Sequence, residues 1–112
     1  MKKLIVSSVL AFITFSAQAA AFQVTSNEIK TGEQLTTSHV FSGFGCEGGN
    51  TSPSLTWSGA PEGTKSFAVT GYDPDAPTGS GWWHWTVANI PATVTYLPAD
   101  AGRRDGTKLP TG

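Results

Sequence analysis

Ser66-Phe67-Ala68-Val69-Thr70-Gly71-Tyr72 and Trp82-Trp83-His84-Trp85-Thr86-Val87-Ala88-Asn89-Ile90 are the two stretches that decide the fold. Both are rich in β-branched and aromatic residues, which suit a pleated, half-buried surface. Lys65 precedes the first and Pro91 stops the second, and the turn-rich loop Asp73-Pro74-Asp75-Ala76-Pro77-Thr78-Gly79-Ser80-Gly81 joins them. A tight hairpin needs only about two loop residues. A longer, proline-stiffened connection is more often a functional rim or a passage between sheets. Side chains alternate along a strand, so Trp82, His84 and Thr86 are expected on one face and Trp83, Trp85 and Val87 on the other. The second set is the better core face. The first then lines a cavity near the start of the strand, beside Asp73 and Asp75.

Weaker strands are expected at Phe22–Thr25, Ser38–Phe41, Ser54–Trp57 and Thr93–Leu97. Pro53, Pro61, Pro74, Pro77, Pro91, Pro98 and Pro110 fall in the gaps, where a residue without an N–H donor does no harm. Thr25–Glu33 is the one stretch read as a short helical turn. Short β-rich runs between turn signals predict a mainly all-β domain, an antiparallel sandwich or barrel. No tandem repeat or heptad interrupts this pattern. The composition agrees: 112 residues make about one small domain, and 13 Gly with 7 Pro favour turns over long helices. An apolar content of 38%, with four Trp and six Phe, can build a core and argues against disorder. Charged residues are only 13% and the formal net charge is −1. That excludes an electrostatic nucleic-acid binder, which needs clustered cations to displace counterions from phosphate.

Residues 1–21 read as an export signal. Lys2 and Lys3 precede the apolar run Leu4–Phe15, and the small residues Ser16-Ala17-Gln18-Ala19-Ala20-Ala21 follow as a cleavage region. The run is too short to span about 30 Å of hydrocarbon as a helix. Its removal takes away two cations and leaves residues 22–112 as a mildly acidic domain, expected in the periplasm and with no stable membrane insertion. Two Arg at 103 and 104, beside Asp105, are too few for a lipid-surface patch and read as a solvated loop. An oxidising compartment favours disulfides, yet Cys46 is the single cysteine. It is a buried thiol, an interchain bridge, or one half of a pair whose partner lies outside this sequence.

Asp73, Asp75 and His84 form the chemical cluster. As a calcium loop it fails, because Pro77 stands where an oxygen ligand would continue the pattern. As a glycosidase pair it fails too: the two acids share one loop, whereas such acids flank a bond from about 5–9 Å apart. No G-x-S-x-G motif supplies a nucleophile, and His39 reads as surface or core filling. No metal and no cofactor are therefore expected. The plainer alternative is that the acids cap turns beside proline and His84 is a satisfied core histidine. Favouring a ligand pocket is the convergence of a stiff loop, a Trp wall and a titratable imidazole.

Asp73-Pro74-Asp75-Ala76-Pro77-Thr78 followed by Gly81-Trp82-Trp83-His84-Trp85 resembles the phosphatidylethanolamine-binding protein family, in particular its bacterial Raf kinase inhibitor-like branch. Cys46-Glu47-Gly48-Gly49-Asn50-Thr51-Ser52-Pro53-Ser54-Leu55-Thr56-Trp57 is similar to the same family's N-x-S-P-x-L-x-W segment. The resemblance implies an antiparallel β-sandwich with a small anion-accepting cavity at one end, and allows a cis Ala76–Pro77 bond. It matches Asp73, Asp75 and Pro77 to the pocket loop, and Trp82 and His84 to the pocket wall. Members of the family continue with a C-P-P stretch and an H-x-Y pair, so the resemblance implies a partial domain, incomplete at its C-terminus. It also implies a possible pairing of Cys46 with the C-P-P cysteine. The function expected is an exported, non-enzymatic binding protein for a phosphate-like anion or phospholipid head group. One alternative is a module that inhibits a kinase or protease partner by surface contact. The other is a small hydrolase using His84 and an aspartate.

Overall fold

The computed structural model describes residues 20–111. The export signal expected at 1–21 therefore lies outside the described residues, apart from Ala20 and Ala21. Seven strands follow one another: β1 Gln23–Thr25, β2 Ser42–Gly43, β3 Cys46–Glu47, β4 Leu55–Ser58, β5 Ser66–Asp73, β6 Trp82–Pro91 and β7 Tyr96–Leu97. A single 3-10 turn at Thr37–His39 is the helical content among the described residues. The strands form a three-stranded sheet in the order β1-β4-β7 and two hairpins, β2-β3 and β5-β6. Every pairing is antiparallel. The mainly all-β, antiparallel class read from the sequence is thus the class observed.

β5 shows why. Phe67, Val69, Gly71 and Asp73 are half-buried while Ser66, Ala68, Thr70 and Tyr72 are exposed, a period of two along the strand. Phe67 and Val69 meet the buried set Trp57, Ile90, Leu97 and Ala101, together with Leu55, Trp85, Val87, Val94 and Leu109. Trp57 and Leu97 belong to the three-stranded sheet, and Ile90, Trp85 and Val87 to β6. The two sheets therefore close on each other as a sandwich. Trp57 stands edge-on to Phe67 with ring centroids 5.4 Å apart, and Phe22 stacks on the other side of that ring at 6.1 Å. Both geometries suit the ring quadrupole.

Three local expectations change. Ser38–Phe41 is not a strand. His39 and Val40 donate to Thr36 and Thr37 in the 3-10 turn, and the segment is then strapped to its neighbour by Gly49 N–H to Thr37 O (2.9 Å), Asn50 N–H to Val40 O (2.9 Å) and Thr51 N–H to Ser38 O (2.9 Å). Thr93–Leu97 shortens to Tyr96–Leu97, because Pro91 ends β6 and a turn follows, closed by Val94 N–H to Pro91 O at 2.9 Å. Thr25–Glu33 holds no helical turn. Its residues are tied instead by Glu28, whose Oε2 accepts from the Ser54 hydroxyl (2.6 Å), the Ser54 N–H (3.1 Å) and the Ser26 hydroxyl (3.0 Å). The Ser54 hydroxyl, first among these, holds the Glu28 carboxyl below the usual carboxylate range.

Candidate functional site

The site stands at the loop end of the β5–β6 hairpin, and its geometry follows from an irregular register. Asp73 pairs with Trp82 and Tyr72 with Trp83, but Gly71 pairs with Trp85. His84 is the additional residue, a β-bulge. Directly opposed residues share a face, so Trp83 sides with Tyr72 and Trp85 with Gly71. Plain alternation placed Trp83 and Trp85 together on the core face, and the bulge separates them. Trp85 is half-buried against the core while Trp83 is 60% exposed.

On the other side of the bulge the expected neighbours do meet. His84 Nε2 lies 3.5 Å from Asp73 Oδ2. The other Asp73 oxygen, Oδ1, accepts the Asp75 N–H at 2.9 Å, the Asx turn that an aspartate before proline favours. Asp73 is thus braced by its own loop and turned towards the imidazole, with Trp82 across the ladder from it. The contact needs the hydrogen on Nε2, in either the neutral tautomer or the imidazolium. Both side chains are well exposed, 56% for His84 and 42% for Asp73. An exposed pair contributes only about 0–1 kcal/mol, so stability does not explain the arrangement. Asp75 and Pro77 sit exposed on the loop. The Ala76–Pro77 peptide is trans, as are all those of the described residues, in place of the cis form that the resemblance allows.

The loop itself is rigidly tied. The Tyr72 hydroxyl donates to Ser80 O at 2.7 Å, and the Thr78 hydroxyl to Gly81 O at 2.5 Å. Gly81 adopts φ +72°, and a Cβ there would fall 2.6 Å from the Asp73 carbonyl oxygen. The loop can close on β5 only because residue 81 is glycine.

Two surface hollows do not include Asp73, Asp75, Pro77 or His84. One, of about 470 Å³, is walled by Val24, Ile29, Lys30 and Leu55. The other, of about 380 Å³, is lined by Thr78, Ser80, Gly81, Trp82 and Trp83. The acid–imidazole pair is a half-open ledge between sheet and solvent. Trp83 and the hollow beside it were not foreseen, because a bulge leaves no mark in the alternation of residue types.

Other candidates resolve plainly. His39 Nδ1 contacts Thr51 O at 2.7 Å, a structural tie. Cys46 is exposed, which removes the buried-thiol alternative. Arg103 pairs with Asp105 at 2.9 Å and Asp100 at 3.4 Å on the surface. Among the described residues no three His, Cys, Asp or Glu side chains are grouped to hold a metal ion, and no helix is long and apolar enough to cross a membrane.

Comparison with known proteins adds to this geometry. A family model described as phosphatidylethanolamine-binding protein matches residues 25–111. The chain is 95% identical over 112 residues to the UPF0098 protein YbcL of Escherichia coli (strain K12), spanning all of this chain and 61% of that relative. It is 57% identical over 77 residues to the UPF0098 protein YbhB of the same organism, covering 69% of this chain and 49% of that one. A crystal structure of E. coli YbcL, described as a new member of the mammalian PEBP family, superposes with a TM-score of 0.81 at 95% identity. That match covers 83% of this chain and 57% of the other. The chain therefore spans about three-fifths or less of the length of these relatives.

Proposed function

The chain belongs to the phosphatidylethanolamine-binding protein family, and from that premise we propose that it is an exported, non-enzymatic binding protein that accepts a phosphate-like anion or phospholipid head group on the Asp73–His84 ledge. The observation that carries this reading is the 3.5 Å approach of His84 Nε2 to Asp73 Oδ2, beside Trp82 at the mouth of a braced loop.

The electrostatics decide how such a ligand would be held. A phosphate 4 Å from a carboxylate is repelled by about 4 kcal/mol at an effective dielectric of 20. An imidazolium offsets that charge and donates a charge-assisted hydrogen bond. A head-group ammonium offers a second compensation, because Asp73 and Asp75 can accept it while Trp82 presents a π face to it. Phosphate is thus assigned to His84 and the amine to the acids. The export leader supports a periplasmic location, where small phosphorylated head groups are accessible and cytosolic kinases are not.

The test is calorimetry of the full chain with sn-glycero-3-phosphoethanolamine, a phosphodiester whose own charges do not change between pH 5 and 8. An imidazole gains its proton across that range. Binding is expected to tighten as the pH falls from 8 to 5, and His84→Ala is expected to abolish the pH dependence. Binding that is flat across the range would remove His84 from the role. Turnover of a phosphomonoester or carboxylate ester, lost in His84→Ala, would replace the binding reading with the hydrolase.

A further inference from the structure

We propose that the outer edge of β5 docks a second copy of this chain. Two β5 strands pair antiparallel across a two-fold axis at Val69, which sets Lys65 of each copy opposite Asp73 of the other.

The free edge comes first. β5 is hydrogen-bonded to β6 on one side, and among the described residues no loop backbone bond reaches Ser66–Tyr72. A strand edge in this state is a template for another strand, and proteins blunt such edges with short strands, bulges, proline or charge. β1 and β7 are short, at 3 and 2 residues. β6 carries the extra residue at both register shifts, holds Asn89 at φ +57° and ends on Pro91. β5 has none of these devices. It runs for 8 residues, Ser66–Asp73, with no proline and no charge before its last position.

The pleat then dictates the register. A two-fold axis normal to the sheet keeps the half-buried faces of both copies on one side only if opposed residues are both odd-numbered or both even-numbered. Phe67, Val69, Gly71 and Asp73 are the half-buried set. An axis at Val69 meets this condition and uses the whole strand. Lys65 and Asp73 stand at equal distances either side of Val69, so each ammonium falls opposite a carboxylate. Phe67 falls opposite Gly71, where the missing side chain leaves room for the ring. On the exposed face Ala68 opposes Thr70, and Ser66 opposes Tyr72. Moving the axis by one residue would oppose Lys65 to Gly71 or to Asp75 in the loop instead.

Main-chain hydrogen bonds supply the affinity of an added strand, and side chains its specificity. The self-complementary charges at the two ends of β5 select a second copy over an unrelated strand. The pairing also carries an ammonium to the Asp73–His84 ledge, yet it does not depend on the anion reading, since it is measured without ligand.

Sedimentation equilibrium of the full chain is followed from about 1 µM to about 1 mM, the span in which a weak ladder dissociates. A monomer–dimer equilibrium is expected. Lys65→Glu sets like charges opposite each other twice per dimer and should weaken it about tenfold. Asp73→Lys should do the same. An equimolar mixture of the two variants should recover the dimer, because both end pairs are complementary only in the mixed species. Register is read by cross-linking in a Cys46→Ser background. Directly opposed residues have Cα atoms about 4.5–5.5 Å apart, within the roughly 4.4–6.8 Å that a disulfide spans. Ala68→Cys mixed with Thr70→Cys should therefore link on oxidation. Either variant alone should not, because its two thiols stand on diagonal positions about 7–8 Å apart. A chain that stays monomeric across the range overturns the proposal. So does a dimer indifferent to Lys65→Glu, or one that links equally through Ala68→Cys alone, for the copies would then meet elsewhere, on the β6 edge or the exposed indoles. Should Asp73→Lys fail to fold, Lys65→Glu and the cross-link decide by themselves.

Discussion

Asp73 uses both carboxylate oxygens, one on the Asp75 N–H at 2.9 Å and one facing His84 at 3.5 Å. If the acids accept a head-group amine, Asp73→Asn should act on the amine and spare the phosphate. The ratio of affinities for phosphoethanolamine over glycerol 3-phosphate is then expected to fall about fivefold, the scale of an exposed charge pair. An unchanged ratio, read by calorimetry at fixed pH, would leave Asp73 only the task of orienting His84. Glu28 supports a second prediction. Its pKa is lowered, first by the hydrogen bond from the Ser54 hydroxyl. A carboxyl lowered in the folded state stabilises the fold above its unfolded value, near 4.5, and that contribution disappears as pH falls through the folded value. Ser54→Ala should therefore lower the thermal midpoint at pH 7, and the gap to the parent should narrow as the pH falls from 4.5 through the lowered folded value. A gap of constant size down to pH 3 would show that Ser54 acts through packing alone.

At the scale of elements, β5 and the existence of β6 were legible from residue types, because alternation and β-branching mark a half-buried strand on their own. The meeting of Asp73 with His84 was legible too, since a loop that returns the chain antiparallel must bring its two ends together. Trp83 was not legible. Its face depends on one inserted residue, and a bulge alters register without altering composition. A second shift lies between the Phe67 and Val69 pairings, opposite Ala88 and Asn89, and here a signal existed: Asn89 has φ +57°, and asparagine in a strand is among the few residues that tolerate that region. The Ser38–Phe41 segment misled for a related reason. Its backbone bonds are made to Gly49–Thr51 in an irregular strap, and such pairing is set by distant residues. Gly81 gives the element-scale prediction. Gly81→Ala forces a Cβ to within 2.6 Å of the Asp73 carbonyl oxygen at φ +72°. It should cost about 1–3 kcal/mol and spoil the Asp73–His84 ledge, as read by urea unfolding and ligand titration together. A neutral substitution would mean that the loop closes by some other path.

For the whole molecule, the decisive feature is how little is fully buried. Trp57, Ile90, Leu97 and Ala101 are the buried apolar residues among those described, while Phe22, Val24, Leu35, Phe44, Tyr72, Trp82, Trp83 and Tyr96 are all exposed, from 46% to 99%. Hydrophobic burial is worth about 25 cal/mol per Å², and it must outweigh a backbone entropy cost of about 1–2 kcal/mol for every ordered residue. Even the best-buried aromatic leaves a polar atom unpartnered: Trp57 Nε1 is buried with no hydrogen-bond acceptor, and such an atom costs about 1–3 kcal/mol. Trp57→Phe removes that orphan along with some packing area, so it should destabilise far less than the roughly 3–5 kcal/mol typical of truncating a core aromatic to alanine. A core this small also predicts shallow unfolding. The urea slope of residues 22–112 should fall below the about 1–3 kcal/mol per molar usual for small domains, and the exposed aromatic surface should bind a hydrophobic dye under native conditions. Adding the polypeptide that makes up the remaining length of the relatives should steepen the transition and expel the dye, because an apolar sheet face gains stability from whatever covers it. A steep transition with no dye binding, in residues 22–112 alone, would show that the four-residue core suffices.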